Sequence, residues 1–344
     1  RLSASSNEWQ EAVDWIISVY GECTRTDLAD FTGYHYTTVH DAVNRHNLTG
    51  IIYSNSRLQS EVLDFITSVY SGALETDKHY EFITSKAGNR QQLDIYIPEF
   101  KIGIEVNGTY WHGNNMLNDK YYHFNKSKQC REAGVRLIHI WGYQWGNPKQ
   151  RAVLQSIILS ALGMSKRVYA RNFKVEYRSS SEMRQFFDTN NVQGFRGGEF
   201  AVCLVDTQGE VWMAYLIGKG NHMSRKYQYE VVRGASKLGY TVVGGATKLM
   251  HALFEDKKLT EIVYYVDYNY FDGISLAKDA RWKLISESIG FKNYWVKTGK
   301  VKNREPRRHA EIKKLVETGE VLELWDAGTA TYLYRKEETT FPTK

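Results

Sequence analysis

The chain has 344 residues, a formal charge of +6 and 42% hydrophobic content, too long for one ordinary domain and too apolar for wholesale disorder. Three well-separated cysteines with no CxxC pair exclude a disulfide framework and a zinc module, and no stretch has the length and apolarity of a membrane span. With no signal peptide legible, a reducing, cytoplasmic setting is expected, and the positive balance with 14% aromatic residues suits a phosphate-bearing partner without demanding one.

Residues 1–53 read as a helical segment. Trp9, Val13, Ile16, Ile17 and Tyr20 recur at helical spacing. A short helix from Thr26 to Gly33 follows, and a second carries Val39, Ala42, Val43 and Leu48. Helix, glycine turn and helix is the outline of a helix-turn-helix. The second helix would then offer His35, Tyr36, Thr37, Thr38 and His40 to a major groove. A small helical bundle produces the same spacing, so both remain open.

Residues 54–164 form a second segment. A helix carries Leu58, Val62, Leu63, Phe65, Ile66 and Val69. The run QLDIYIPEFKIGIEVNGTYWH then gives two short strands around Pro98, with Asp94 on the first and Glu105 on the second. Carboxylates on apolar strands are costly unless a cation meets them. Two of them on adjacent antiparallel strands suit Mg²⁺, which keeps several waters and takes one or two protein carboxylates. Asn107, two residues past Glu105, shares its face but brings no charge. His112 has the pKa range of a general base; a surface or capping histidine after Tyr110 and Trp111 is the alternative. A polar helix from Asn118 to Ala133 puts His123 and Lys126 on one face; if the carboxylate pair serves metal-assisted phosphodiester hydrolysis, that face would meet the scissile phosphate. Lys128 and Arg131 read as its solvated basic side. The strand VRLIHIW and the helix RAVLQSIILSAL complete an α/β core.

Residues 165–344 read as a third segment of interleaved strands and helices. FAVCLVD and GEVWMAYLIG form a hairpin about Asp206–Gly209. A helix is expected at YEVVRG, then a strand, and Gly244–Gly245 opens another helix. EIVYYVDYNY is a strand, ISESIGF a helix C-terminus and ATYLYRK a final strand. The whole is an α/β multidomain chain.

The pattern E…LDIYIP…IEVNGTYWH…YHFNKSK…C..AGVRLIHIW resembles the very short patch repair endonuclease fold, a restriction-endonuclease-like α/β core. It is more similar still to phage homing endonucleases of the E-D-x-H-D type. The resemblance covers residues 55–145 and implies a site-specific DNA endonuclease acting on double-stranded DNA with Mg²⁺ or Mn²⁺, in a phage-infected host cell. Carried onto this chain, the catalytic set is Glu61, Asp94, Glu105, His112, His123 and Lys126. Asp94 and Glu105 would bind metal, and Glu61 enters on this resemblance alone. Asn107, Lys128, Arg307 and Arg308 join Tyr36, Thr37, Thr38 and His40 as expected DNA contacts. The chain departs from the pattern at Gln92, where relatives often have an acid, and at Asn107, where restriction-type sites place lysine. It departs again at IWGYQW (140–145), where relatives are acidic; Asp119 is the candidate counterpart.

The third segment resembles an N-acetyltransferase-like domain. Gly244–Gly245 ahead of Thr247 and Lys248 would cradle an acyl-CoA pyrophosphate, although a tight turn needs the same glycines. The other reading is a scaffold extending DNA contact through Arg225, Lys226, Arg233, Lys237, Lys248 and the basic stretch 300–308. A strand-specific repair nickase, a non-cleaving DNA-binding regulator and an acetyltransferase stand as alternatives to the homing endonuclease.

Overall fold

A computed structural model of the protein describes residues 6–20, 23–52, 57–108, 119–219, 227–295, 300–303 and 309–336. Its contacts divide the chain into two units, Arg1–Gly72 and Ala73–Lys344.

The first unit contains α1 (Ser6–Tyr20), α2 (Arg25–Thr32), α3 (Tyr36–His46) and α4 (Arg57–Val69). Short strands β1 (Cys23–Thr24) and β2 (Ile51–Ile52) pair in parallel. The periodic apolar residues make its core: Trp9, Val13 and Ile16 from α1, Leu28 from α2, and Val39, Ala42 and Val43 from α3 are buried. Gly33 ends α2 with φ +70° and donates its N–H to the Ala29 carbonyl, the left-handed stop that glycine tolerates best. The expected helix, glycine turn and helix are therefore present. On α3, Thr38 is exposed and His40 half-buried, while the Tyr36 and Thr37 side chains lie outside the described residues.

The second unit begins with a four-stranded mixed sheet. In order it contains β3 (Glu75–Thr84), β4 (Arg90–Ile97), β5 (Ile102–Asn107) and β6 (Arg136–Trp141). The first two junctions are antiparallel; β5 and β6 are parallel. A parallel pair needs a long crossover, and α5 (Tyr122–Glu132) lies on it. All six residues of β5 are buried, which explains its apolar run and makes its lone glutamate stand out. β3 is absent from the sequence-based expectation. It is an edge strand whose first half is largely exposed and charged and carries no apolar alternation.

After β6 come α6 (Gly142–Trp145) and α7 (Pro148–Ala161). Asn147 caps α7 by accepting from the Lys149 and Gln150 N–H groups, with Pro148 opening the first turn. The remaining elements are β7 (Lys166–Tyr169), β8 (Lys174–Ser179), α8 (Arg184–Asn190), β9 (Phe200–Val205), β10 (Val211–Lys219), β11 (Tyr229–Ser236) and β12 (Tyr240–Val243). They continue with α9 (Gly245–Lys257), β13 (Glu261–Asp267), α10 (Ile274–Ala277), β14 (Trp282–Ser288), β15 (Lys292–Trp295), β16 (Lys300–Asn303), α11 (His309–Glu317), β17 (Val321–Leu324) and β18 (Thr329–Arg335). A seven-stranded mixed sheet runs β14-β18-β13-β11-β10-β9-β8, with smaller sheets β12-β7 and β16-β15-β17.

The β9–β10 hairpin and the helix after Gly244 match expectation. Two helices do not. YEVVRG is β11, paired with β10 along its length, because adjacent β-branched valines suit a pleated central strand. ISES lies in β14, paired with β18, where long-range pairing overrides a weak local preference. The chain is thus an α/β protein with mixed sheets. No helix among the described residues is long and apolar enough to cross a membrane.

Candidate active site

The two carboxylates singled out by the sequence do meet. β4 and β5 pair antiparallel with Ile95 opposite Ile104, which sets Asp94 beside the end of β5. Asp94 Oδ2 accepts the Val106 N–H at 2.7 Å. From α5, Lys126 reaches over the sheet and its Nζ lies 2.5 Å from Glu105 Oε1. That ion pair is sealed, with the lysine side chain 1% and the glutamate 4% exposed. Lys126 also lies 5.6 Å from the Tyr122 ring centroid, a cation–π distance.

Such a pair is costly to desolvate and is tolerated only where its charges are well matched. One atom is left over: Glu105 Oε2 is buried and has no hydrogen-bond partner among the described residues. A buried carboxylate oxygen beside a second carboxyl is the donor type a hard divalent cation takes. The described residues hold no group of three or more His, Cys, Asp or Glu side chains able to grip a metal. A cation here would therefore rest on Asp94, Glu105 and its own waters. The residues present fit Mg²⁺.

Electrostatics point the same way. Burial, reinforced by the nearby Glu105 charge, pushes the Asp94 carboxyl up to about 8, although Lys126 and the Val106 N–H pull against it. Burial likewise raises Glu105, opposed by Lys126. For Lys126, burial alone would lower the pKa, but Glu105, Tyr122 and Asp94 together hold it above the ordinary lysine range. Two carboxyls lifted by crowding beside a fixed ammonium form a pocket short of positive charge.

A third carboxylate stands close by and escaped the sequence reading. Asp77 on β3 lies between Thr76, paired with Ile95, and Lys78, paired with Leu93. Its charge helps raise both Asp94 and Glu105. Only recognition of β3 as a strand would have revealed it.

Other expected residues fall elsewhere. Asn107 was expected to touch DNA. It is fully buried, and its Nδ2 lies 3.1 Å from His139 Nδ1, because β5 runs between β4 and β6 with no solvent-facing side. The charge missing at Asn107 is brought to Glu105 by Lys126 from another element. His123 is on the same inner face of α5 as Lys126, as its spacing requires, but is packed among rings: centroids lie 5.0 Å from Tyr122, 5.3 Å from His139 and 5.2 Å from Trp141. His112 lies outside the described residues, as do Arg307 and Arg308. Glu61 lies on α4 in the first unit, 3.8 Å from Arg57. Asp119 accepts from Lys86 Nζ at 2.8 Å and from the Tyr121 N–H at 3.0 Å, so it braces the approach to α5.

The basic side of α5 divides. Lys128 is half exposed. Arg131, expected to be solvated, stacks 3.7 Å from the Tyr268 ring centroid and pairs with Glu287 at 2.9 Å. In the C-terminal half, Lys248 donates to the Ala170 and Phe173 carbonyls. Arg233 donates to the Gly194 and Val232 carbonyls, and Lys237 pairs with Glu210. These three cations are committed internally; Arg225 and Lys226 lie outside the described residues.

His139 and Ser127 were also missed. Ser127 Oγ lies 2.7 Å from His139 Nε2, and both residues are buried. A histidine inside the apolar strand RLIHIW was the available signal.

No protein-family model matches the chain, and no curated protein matches it.

Proposed function

We propose that the second unit carries a divalent-metal-dependent DNA endonuclease centre of restriction-endonuclease-like type. The observation that carries this reading is the convergence of Asp94, Glu105 and Lys126 from two adjoining strands and the crossover helix, with one glutamate oxygen left unpartnered. Asp94 and Glu105 would hold Mg²⁺, or Mn²⁺ in its place. When bound, that ion lowers the pKa of its water and offsets charge at phosphorus. Glu105 holds Lys126 fixed and protonated. The ammonium is thereby set to neutralise charge growing on the phosphate oxygens, without reorganisation during the reaction. Tyr122 flanks the ammonium with its ring face. His112 remains the proposed general base on the sequence pattern.

The helix-turn-helix outline of the first unit supports a DNA-reading role for Thr38 and His40. A site-specific phage-type homing endonuclease acting on double-stranded DNA is therefore the function proposed. Its test is cleavage of supercoiled and linear DNA by the full chain in Mg²⁺, with both strands mapped. Cuts on both strands at a preferred site support it; nicks confined to one strand favour the repair-nickase alternative. Metal-independent binding without any cut would sink the enzymatic reading.

A further inference from the structure

The segment leaving β13, from its last residue Asp267 to Asp272, grips the candidate active site from the C-terminal layer. β6 is the outer strand of the four-stranded sheet, and its free edge is covered by this segment. The Asn269 backbone carbonyl accepts the His139 backbone N–H at 2.7 Å, and Asn269 Oδ1 accepts the Trp141 Nε1–H at 3.1 Å. The Tyr270 carbonyl accepts from the Arg136 guanidinium at 2.8 Å, and Gln144 Nε2 donates to the Tyr270 hydroxyl at 2.6 Å. Asn269 is itself locked, its Nδ2 donating to Asp267 Oδ1 at 2.7 Å while Asp267 Oδ2 accepts from Gln193.

The path continues inward. The His139 ring bridges Ser127 Oγ on α5 to Asn107 Nδ2 on β5. Ser127 is the residue after Lys126, and Asn107 stands two past Glu105. Asn269, His139 and Asn107 are 0% exposed. An apolar cover would leave the buried His139 N–H at this edge without an acceptor. A polar bridge instead fixes distance and direction between the two elements whose charges meet at Glu105.

We infer that Asn269 is a positioning residue for the nuclease centre: its side chain, tied to Asp267 and Trp141, fixes the backbone carbonyl that anchors β6 at His139, and the His139 ring sets the Lys126–Glu105 pair, so that the C-terminal layer is part of the active-site frame. This rests on the nuclease reading above. It assigns the Asp267–Asp272 segment a role that neither an acyl-CoA site nor a DNA-contact scaffold supplies.

The test uses the full chain and three variants: Asn269→Ala, Ser127→Ala and the double substitution. On a DNA substrate cut by the unmodified protein in Mg²⁺, each single variant is expected to lower kcat about tenfold, with KM within about twofold, as for a group that sets alignment rather than binding. The double variant should be no slower than the slower single, since Asn269→Ala unties the carbonyl that anchors His139 and Ser127→Ala removes the contact of the His139 ring with α5, two steps of one path. Amide exchange in α5, followed without metal, should quicken in Asn269→Ala. Unchanged kcat in both single variants, or losses that multiply in the double, would overturn the inference. If Asn269→Ala fails to fold, Ser127→Ala with Trp141→Phe carries the same comparison. Should the unmodified protein cut no DNA, the nuclease reading alone falls. Exchange then decides: faster α5 exchange in Asn269→Ala upholds the coupling, and unchanged exchange refutes it.

Discussion

Replacing Asp94 by asparagine separates stability from function at one atom. Asparagine keeps an acceptor for the Val106 N–H but never ionises. In the metal-free protein the Asp94 carboxyl is pushed up to about 8, first by burial and then by Glu105, whereas in the unfolded chain it ionises near pH 4. Below pH 4 both states are protonated and the aspartate costs nothing. As pH rises towards 8, the unfolded chain gives up its proton and the folded one does not, so the folded state loses ground; above 8 the loss is constant. The full interval sets a ceiling of roughly 5–6 kcal/mol at about 1.36 kcal/mol per tenfold. Partial solvent access at Asp94 reduces this to about 2–4 kcal/mol. Asp94→Asn should therefore be more stable than the native chain at pH 8 in EDTA, by that amount, with the gap closing towards pH 4. With Mg²⁺ at a hundred times its Kd, the native chain should regain about 2.7 kcal/mol and the variant little, while the variant cuts no DNA. Urea unfolding at pH 5 and pH 8, with and without metal, reads all of this. A variant less stable at pH 8 in EDTA, or a gap independent of pH, would refute the electrostatic account.

Lys126→Met leaves Glu105 buried and unpaired, so urea unfolding at pH 8 should show a loss of about 3–5 kcal/mol; adding Glu105→Gln should restore most of it, but not cleavage. Lys126→Arg should fold yet cut at least tenfold more slowly, because a planar fork cannot take the place of a point charge in a closed pocket. Arg131→Ala should lower stability by about 1–2 kcal/mol through loss of its stacking on Tyr268 and its ion pair, with DNA affinity unchanged in a filter-binding assay; unchanged stability would restore the solvated reading. His112→Ala should abolish cleavage while leaving DNA binding within about threefold, and retained cleavage would remove it as general base.

The strand pair bearing Asp94 and Glu105 was legible because a carboxylate in an apolar run breaks a pattern that hydrophobic burial otherwise enforces. The helix carrying Lys126 was legible too, yet its destination was not. Spacing along α5 says which residues share a face, and only the crossover between β5 and β6 says which strand that face covers. For the same reason Asn107 read as a DNA contact lacking charge. It is an interior side chain, and Lys126 from another element supplies the charge. β3 was lost because an edge strand needs no apolar alternation, and Asp77 was lost with it. β11 and β14 were read as helical from local sequence, whereas pairing with β10 and β18 decides their state. The support of β6 by Asn269 joins residues more than a hundred positions apart, a separation that no periodicity encodes.

Asp94, Glu105 and Lys126 are proposed to make a metal-dependent phosphodiesterase. Its most direct test is incubation of the full chain with a mixed library of double-stranded DNA in Mg²⁺ and in EDTA, followed by sequencing of the new ends, with Asp94→Asn run in parallel. Recurrent ends at a common sequence, present only with the metal and absent from the variant, are the predicted result. An uncut library in both Mg²⁺ and Mn²⁺, or equal cutting by Asp94→Asn, would contradict it.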